Sequence, residues 1–192
     1  MPDPLTDLAG QIASCMRCAE LATTRRSTVP GQFPSSARLL LVGEAPGADE
    51  DEQGQPFVGR SGRLLDELLD QVGVARAEVA VANVVKCRPP GNRTPKPAEI
   101  DACRPFLRGQ ISAAVPSLVV CLGSTATQWF FGRAARLTRL RGHVHDVDGI
   151  DVMATYHPSA ALRFGPRGEP ARALRDDLAA AVAWLAAAQG RV

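Results

Sequence analysis

The sequence predicts an α/β fold in which a parallel sheet is covered by helices on both faces. Four short apolar runs are spaced along the chain, at residues 37–42, 79–85, 117–122 and 150–154. Longer segments whose apolar residues have helical spacing lie between them. Strands of a parallel sheet are connected by such helices, and they are apolar almost throughout because both of their faces are buried.

The first half of the chain supplies two strands and two helices. Residues 37–42 (ARLLLV) end at Gly43, and residues 61–69 place leucines at i, i+1, i+4 and i+5 of one helical stripe. The second strand spans residues 79–85 (VAVANVV). The helix predicted over residues 96–114 begins after a proline.

The second half repeats this alternation. Residues 117–122 and 150–154 are the third and fourth strands, residues 124–131 form a helix, and residues 171–187 form an alanine-rich last helix. Parallel sheets place their ligand sites beyond the carboxyl ends of the strands. The segments expected to carry chemistry are therefore those that follow each strand, at residues 43–47, 83–88, 123–125 and 156–159.

Composition limits the class of protein. The chain has 192 residues, which suits a single domain over residues 1–192, and 45% apolar with 22% charged residues is ordinary for a globular protein. No apolar run approaches the roughly 20 residues that span a bilayer, so we expect no membrane partner. The first residues have neither a basic start nor a continuous hydrophobic stretch, which predicts a cytoplasmic protein.

Charge is unevenly distributed, although the net charge is only +2. Arginines cluster within residues 133–141 and 163–175, and acidic residues within 49–52. One interpretation is a positive face that binds phosphates. The other, of equal weight, is the solvated surface of an arginine-rich protein.

Three side chains stand out near the predicted strand ends. Phe57, in a glycine-rich segment, either stacks on a planar ring or anchors the loop in the core, which is the commoner role. Asn83 interrupts an apolar strand and needs a partner in a ligand or a loop, since burying it unpaired costs about 1–3 kcal/mol. His157, beside Pro158 and Ser159, either donates a hydrogen bond to an oxygen that becomes negative or is structural.

The cysteines indicate a metal centre. Cys15 and Cys18 form a CxxC pair, joined by Cys87 and Cys103. Four thiolates hold either a tetrahedral zinc or a [4Fe–4S] cluster, and the spacing does not decide between them. A redox CxxC is disfavoured because the pair precedes the first strand, and Cys121, within an apolar strand, is expected to be an inert core residue.

Taken together, these segments resemble the family 4 uracil-DNA glycosylases. The similarity runs from about Cys15 to the end of the chain and includes GEAPG at 43–47, QGQPFVGRSG at 53–62, NVVKCRPPGNRTP at 83–95, CRPFL around Cys103 and HPSA at 157–160. The resemblance implies a three-layer α/β/α sandwich with a central four-stranded parallel sheet. It also implies a structural [4Fe–4S] cluster bound by Cys15, Cys18, Cys87 and Cys103.

The implied activity is hydrolysis of the N-glycosidic bond of uracil in single- or double-stranded DNA, by a monomer that leaves an abasic site. The residues that match the family's uracil pocket are Gly43, Glu44, Ala45, Phe57, Asn83 and His157. Phe57 would stack on the extruded base and Asn83 would bind its Watson–Crick edge. His157 would hydrogen-bond O2 of the departing uracil anion, so that Glu44, Asn83 and His157 form the catalytic set.

Water activation and base selection are assigned by comparison within the superfamily. Related family 1 enzymes orient the attacking water with an aspartate where this chain has Ala45. We therefore predict that Glu44, or the backbone around Ala45 and Pro46, positions the water. Asp49 or Glu50 is the candidate group that excludes thymine at its C5 position.

Contacts with the DNA strand are expected from the segment after HPS. Ser159 would hold a phosphate, and Leu162 or Arg163 would wedge into the base stack.

Three other functions compete with this one. A covalent uracil-trapping relative carries a histidine-containing basic loop, but residues 88–102 contain no histidine. A second alternative is a zinc-stabilised module that binds nucleic acid without catalysis. A ferredoxin-like electron carrier is disfavoured because the cysteines are scattered along the chain.

Overall fold

A computed structural model of the protein describes residues 3–189. The strands are β1 (Leu39–Gly43), β2 (Val79–Asn83), β3 (Leu118–Leu122), β4 (Val144–Val147) and β5 (Ile150–Thr155). The helices are α1 (Pro4–Ala13), α2 (Ala19–Thr24), α3 (Ala48–Gln53), α4 (Arg60–Gln71), α5 (Pro97–Ala114), α6 (Ser124–Phe131), α7 (Leu137–Leu140), α8 (Pro158–Phe164) and α9 (Glu169–Gln189). The single domain predicted for residues 1–192 includes residues 1–2 and 190–192, which lie outside the described part and leave that prediction untested.

The sheet has the strand order β2-β1-β3-β5-β4. The pairs β1–β2, β1–β3 and β3–β5 are all parallel, which confirms the predicted α/β class. Gly43 is in register with Asn83, and Leu122 with Thr155. The four parallel strands therefore end at one edge of the sheet, and the segments that follow them emerge side by side.

Four strands are predicted from the sequence, whereas the sheet has five. The strand β4 pairs with β5 in antiparallel orientation, with Val147 opposite Ile150. The two residues between these strands, Asp148 and Gly149, have φ angles of 54° and 80°. Positive φ at both central positions is the signature of a tight hairpin turn, for which Asp-Gly is a preferred sequence. The short strand β4 is only partly buried, so it lacks the continuous apolar run that marks the other strands.

Helices cover both faces of the sheet and make three layers. Alternate residues of the strands point to opposite faces, so Leu39 and Leu41 pack with α4, α8 and α9, whereas Leu40 and Val42 pack with α1, α5 and α6. The helices predicted from the sequence correspond to α4, α5, α6 and α9. Cys121 is fully buried in the second cluster, in agreement with its predicted core position. Within residues 3–189, no helix is both long enough and apolar enough to cross a membrane.

Candidate active site

One cleft lies at the carboxyl edge of the sheet. It receives residues from the segments after β1, β2, β3 and β5, as expected for a parallel sheet. The lining includes Glu44, Ala45, Pro46, Gly47, Phe57, Asn83, Gly123, Ser124, Tyr156, His157, Ser159 and Arg163. The fold thus brings together most of the residues predicted to bind the base or the DNA. In the sequence these residues are far apart, and Glu44 and Arg163 are separated by 119 positions.

Gly43 lies directly against two of these side chains, Asn83 and Phe57. A Cβ atom at this position would lie 2.4 Å from Oδ1 of Asn83 and 2.7 Å from Cζ of Phe57. Both distances are far below van der Waals contact, so only glycine lets the phenyl ring and the carboxamide approach this closely. The backbone N–H of Val84 donates to the Gly43 carbonyl over 2.9 Å, which holds the ends of β1 and β2 together.

Phe57 is constrained by its backbone as well as by packing. Its φ angle of 57° lies in the left-handed region, which is unusual for an aromatic residue and marks a strained position. A Cβ on Gly62 would lie 1.8 Å from the Phe57 carbonyl oxygen, so the first turn of α4 presses directly on this peptide. The side chain is 7% exposed, and its ring centroid lies 6.0 Å from that of His157. Phe57 is therefore both a core residue and part of the cleft wall.

Glu50 ties the two glycine-rich loops together. Its Oε2 accepts a hydrogen bond from the backbone N–H of Gly47 over 3.0 Å, and its Oε1 accepts from Val58 and Gly59 over 2.9 and 2.8 Å. The carboxylate is thus occupied by the loop backbone, whereas Asp49 is exposed on α3. Sequence analysis missed this bracing role, although an acidic residue three positions after Gly47 is the spacing of a helix capping box.

Asn83 ends β2 with its carboxamide toward the cleft. The residue is 3% exposed, and its backbone carbonyl accepts a hydrogen bond of 2.8 Å from the Lys86 ammonium. Within residues 3–189, no hydrogen bond from another side chain occupies the Asn83 carboxamide. A buried donor and acceptor pair of this kind is suited to a ligand that supplies the complementary edge.

His157 is held as a neutral ring in one tautomer. The Ser159 backbone N–H donates to Nδ1 over 3.1 Å, and the Ser159 hydroxyl lies 2.8 Å from the same nitrogen. Because Nδ1 accepts from an N–H group, the single proton of the neutral imidazole is on Nε2. Burial lowers the pKa of His157 to about 4, although part of the ring remains open to the cleft. The ring therefore presents one fixed N–H donor at physiological pH.

Glu44 is held in place by a side chain from the segment that follows β3. The hydroxyl of Thr125, in the first turn of α6, donates to its Oε2. The backbone carbonyl of Glu44 accepts from the Val85 N–H over 3.2 Å. The segment 123–125 was expected to carry chemistry, but the sequence did not indicate that Thr125 orients the carboxylate.

The arginines of the two sequence clusters have different roles in the structure: some form ion pairs, and others line the cleft. Arg141 is paired with the buried Asp177 over 2.8 Å, and Arg133 with Asp101 over 3.2 Å. Arg136 and Arg163, in contrast, line the cleft. Phosphate-binding charge is therefore available at the cleft itself, and sequence clustering alone did not separate these residues from the structural ones.

Two apolar side chains on α8 point away from the protein. Leu162 is 38% exposed and Phe164 is 65% exposed. Leu162 does not line the cleft, but it lies on the same short helix as Ser159 and Arg163, which do. Its position is suited to contact with a molecule bound across the cleft mouth.

The four predicted metal ligands line a second, smaller cavity. Cys15 and Cys18 reach it from the segment between α1 and α2, Cys87 from beyond β2, and Cys103 from α5. Burial is the main cause of the raised pKa of Cys18, Cys87 and Cys103, which for Cys103 is about 11. Within residues 3–189, no three histidine, cysteine or acidic side chains converge closely enough to hold a single metal ion.

Three cationic side chains line this cysteine cavity, Arg17, Arg25 and Lys86. Nη1 of Arg25 donates to the Cys87 sulfur over 3.0 Å, and Nη2 donates to the Cys15 carbonyl over 2.6 Å. Lys86 lies in the wall between this cavity and Asn83, and burial lowers its pKa to about 8. Positive charge on two sides favours anionic sulfur, so the donor set fits a thiolate-ligated metal centre.

Comparison with known proteins agrees with this arrangement. A model of the Uracil DNA glycosylase superfamily matches residues 30–182. The chain is 41% identical over 168 residues to a type-4 uracil-DNA glycosylase of Archaeoglobus fulgidus, which covers 83% of this chain and 84% of that protein. It is 44% identical over 155 residues to the type-4 enzyme of Thermotoga maritima, covering 80% of each. A type-5 uracil-DNA glycosylase of Pyrobaculum aerophilum is 28% identical over 185 residues.

Proposed function

The chain belongs to the uracil-DNA glycosylase superfamily, and on this basis we propose the reaction that its cleft performs. The protein is a DNA repair hydrolase that removes uracil from DNA, as the type-4 relatives are named for doing. It cleaves the N-glycosidic bond, releases free uracil and leaves an abasic site. The observation that carries this assignment is the convergence of Phe57, Asn83 and His157 on one cleft.

Recognition of uracil begins with extrusion of the base. A base inside a duplex is inaccessible, so it is flipped out at an unstacking cost of a few kcal/mol. The ring of Phe57 would stack on the flipped base, and Gly43 leaves the space in which ring and carboxamide come together. The Asn83 carboxamide would accept from N3–H and donate to O4, which distinguishes uracil from cytosine.

Bond cleavage leaves charge on both fragments. The sugar becomes oxocarbenium-like and the uracil becomes an anion, so stabilisation of that anion lowers the barrier. The Nε2–H group of His157 would donate to O2 of the departing base. Since Ser159 holds Nδ1 as an acceptor, this donor is oriented before the substrate binds.

The attacking water is assigned to Glu44. Its carboxylate lines the cleft, and the Thr125 hydroxyl restrains its orientation. This supports Glu44 as the group that positions the water, with Ala45 at the place where family 1 enzymes carry an aspartate. If Glu44→Gln keeps full activity, the carboxylate is not the general base, and the backbone around Ala45 and Pro46 is left as the group that positions the water.

A [4Fe–4S] cluster is the metal centre that we propose for the cysteine cavity. Cys15, Cys18, Cys87 and Cys103 would bind it, and each thiolate binds a separate iron, so the four sulfurs need not converge on one point. When bound, the cluster supplies a structural cross-link among α2, the segment after β2, and α5. The neighbouring guanidinium of Arg25 stabilises the negative charge of the thiolates.

The DNA strand is assigned to the mouth of the cleft. Ser159 and Arg163 line it from α8, where they would contact phosphates, and the exposed Leu162 would insert into the gap that the flipped base leaves. A cytoplasmic location, a monomeric state, and action on both single- and double-stranded DNA stay predictions.

The direct test is incubation with a uracil-containing oligonucleotide followed by alkaline cleavage. The wild-type protein should yield a strand break at uracil, Asn83→Ala should yield almost none, and an oligonucleotide with thymine at that position should remain whole. An intact uracil strand with iron-loaded wild-type protein would exclude the activity. A brown protein with broad absorbance at about 400 nm indicates the cluster, whereas a colourless zinc protein that binds DNA without cleavage would favour a binding module.

A further inference from the structure

Lys86 is a charged side chain in the protein interior. It is 1% exposed and is the largest of the fully buried side chains. An ammonium group removed from water is costly unless it is paired with opposite charge or hydrogen-bonded. Within residues 3–189, its only hydrogen-bond acceptor is the carbonyl of Asn83, 2.8 Å from Nζ, and no carboxylate forms an ion pair with it.

The missing negative charge is found in the cysteine cavity, which Lys86 also lines. Burial raises the pKa of the Cys103 thiol, and the charge and the backbone N–H of Lys86 act in the opposite direction. The carboxylate that borders this cavity, Glu99, is already paired with Arg93 over 2.6 Å. The cysteine thiolates are therefore the groups left to balance the charge of Lys86.

We propose that Lys86 is a positioning residue that couples the cysteine cavity to the uracil pocket. Its ammonium is attracted by thiolates that bind the cluster, and it hydrogen-bonds the peptide carbonyl of the residue that binds uracil. Lys86 thereby fixes the end of β2 and the direction of the Asn83 carboxamide without touching the substrate. This inference depends on the proposed function, and it explains how a metal centre outside the cleft contributes to base recognition.

Arg25 provides the matched comparison. It is a second cation on the same cavity, with contacts to the Cys87 sulfur and the Cys15 carbonyl. It makes no hydrogen bond to Asn83 or to another residue at the end of β2. Loss of Arg25 should therefore weaken the cluster alone, whereas loss of Lys86 should weaken both the cluster and uracil binding.

The experiment compares Lys86→Met and Arg25→Met with the wild-type holoenzyme. Iron per chain and the rate at which the cluster absorbance bleaches in air report on the cluster, and inhibition by free uracil reports on the pocket. The cluster absorbance of both variants should bleach faster than that of the wild-type protein. In the iron-loaded fraction, Lys86→Met should bind uracil roughly tenfold more weakly, as expected for loss of one buried hydrogen bond to a charged group, and Arg25→Met should remain within about twofold of wild type.

A third variant separates the two roles of Lys86. Lys86→Gln keeps an N–H donor for the Asn83 carbonyl but has no charge, so it should bleach like Lys86→Met while it recovers most of the uracil affinity. It also supplies the test if the methionine variant does not fold.

The inference is overturned if iron-loaded Lys86→Met binds uracil as wild type does, or if Lys86→Met and Arg25→Met weaken uracil binding equally. The same holds if the glutamine variant is no better than the methionine variant. Failure of the wild-type protein to release uracil would instead refute the proposed function, which keeps the two outcomes distinct.

Discussion

Protonation of His157 is the perturbation that most directly tests the chemistry of the cleft. Burial lowers the pKa of this imidazole from 6.5 to about 4, a difference that corresponds to about 3 kcal/mol. The unfolded chain takes up a proton near 6.5, whereas the folded protein does so only near 4. The contribution of His157 to the free energy of unfolding is therefore complete above pH 6.5 and is lost as the pH falls toward 4.

Two measurements follow the ring itself. Nitrogen NMR of the imidazole should show Nδ1 without a proton and Nε2 with one, and this pattern should persist down to about pH 5. Denaturant unfolding at about pH 7 and about pH 4.5 should show a larger loss of stability in wild type than in His157→Leu, by about 2–3 kcal/mol. The comparison between the two proteins removes the contribution of every other titrating group.

Catalysis should follow the same proton. The excision rate should show no titration of His157 above about pH 5 and should fall toward pH 4, because protonation of Nδ1 breaks the bond from the Ser159 N–H and displaces the ring. A ring that titrates near 6.5, or that carries its proton on Nδ1, would show that the structural account of this donor is wrong.

Three further predictions concern the cleft and its rim. Gly43→Ala should abolish uracil excision with the fold retained, since the new Cβ would lie 2.4 Å from the Asn83 amide oxygen. The control is Gly10→Ala, in a helix with open space around it. This control should leave excision unchanged and should raise the free energy of unfolding, measured by thermal unfolding, by up to about 1 kcal/mol. Arg136→Ala should weaken DNA binding, measured by fluorescence titration, and should reduce the slope of log K against log salt concentration by about 1. Arg133 is ion-paired with Asp101, so Arg133→Ala should leave this slope unchanged. Equal slopes for the two variants would show that Arg136 does not contact the DNA. Leu162→Ala should slow excision from duplex far more than from single strands, and equal slowing would exclude a wedge.

The fold could be predicted in large part because its strands are buried on both faces. A strand covered by helices must be apolar along its whole length, so β1, β2, β3 and β5 are visible as runs of valine, leucine and alanine. The edge strand β4 is partly exposed and has no such run. Its one local signal in the sequence is the Asp148–Gly149 pair, a preferred sequence for a two-residue hairpin turn.

The sequence alone also determined which segments meet. Parallel strands end at one edge of their sheet, so the residues that follow them must lie together, and Phe57, Asn83 and His157 share the cleft for this reason. Four cysteines in a protein expected to be cytoplasmic likewise indicate a metal centre, and the fold gathers them around one cavity.

Only the tertiary structure decided what each group does there. Whether an arginine pairs with a buried aspartate or faces the cleft depends on contacts between residues far apart in the chain, as Arg141 and Arg136 show. The neutral state of His157 depends on burial, and the position of Lys86 between two sites depends on packing across the sheet. Charge, desolvation and hydrogen-bond geometry are properties of surroundings in space, and a linear pattern records them only when the partners are neighbours along the chain.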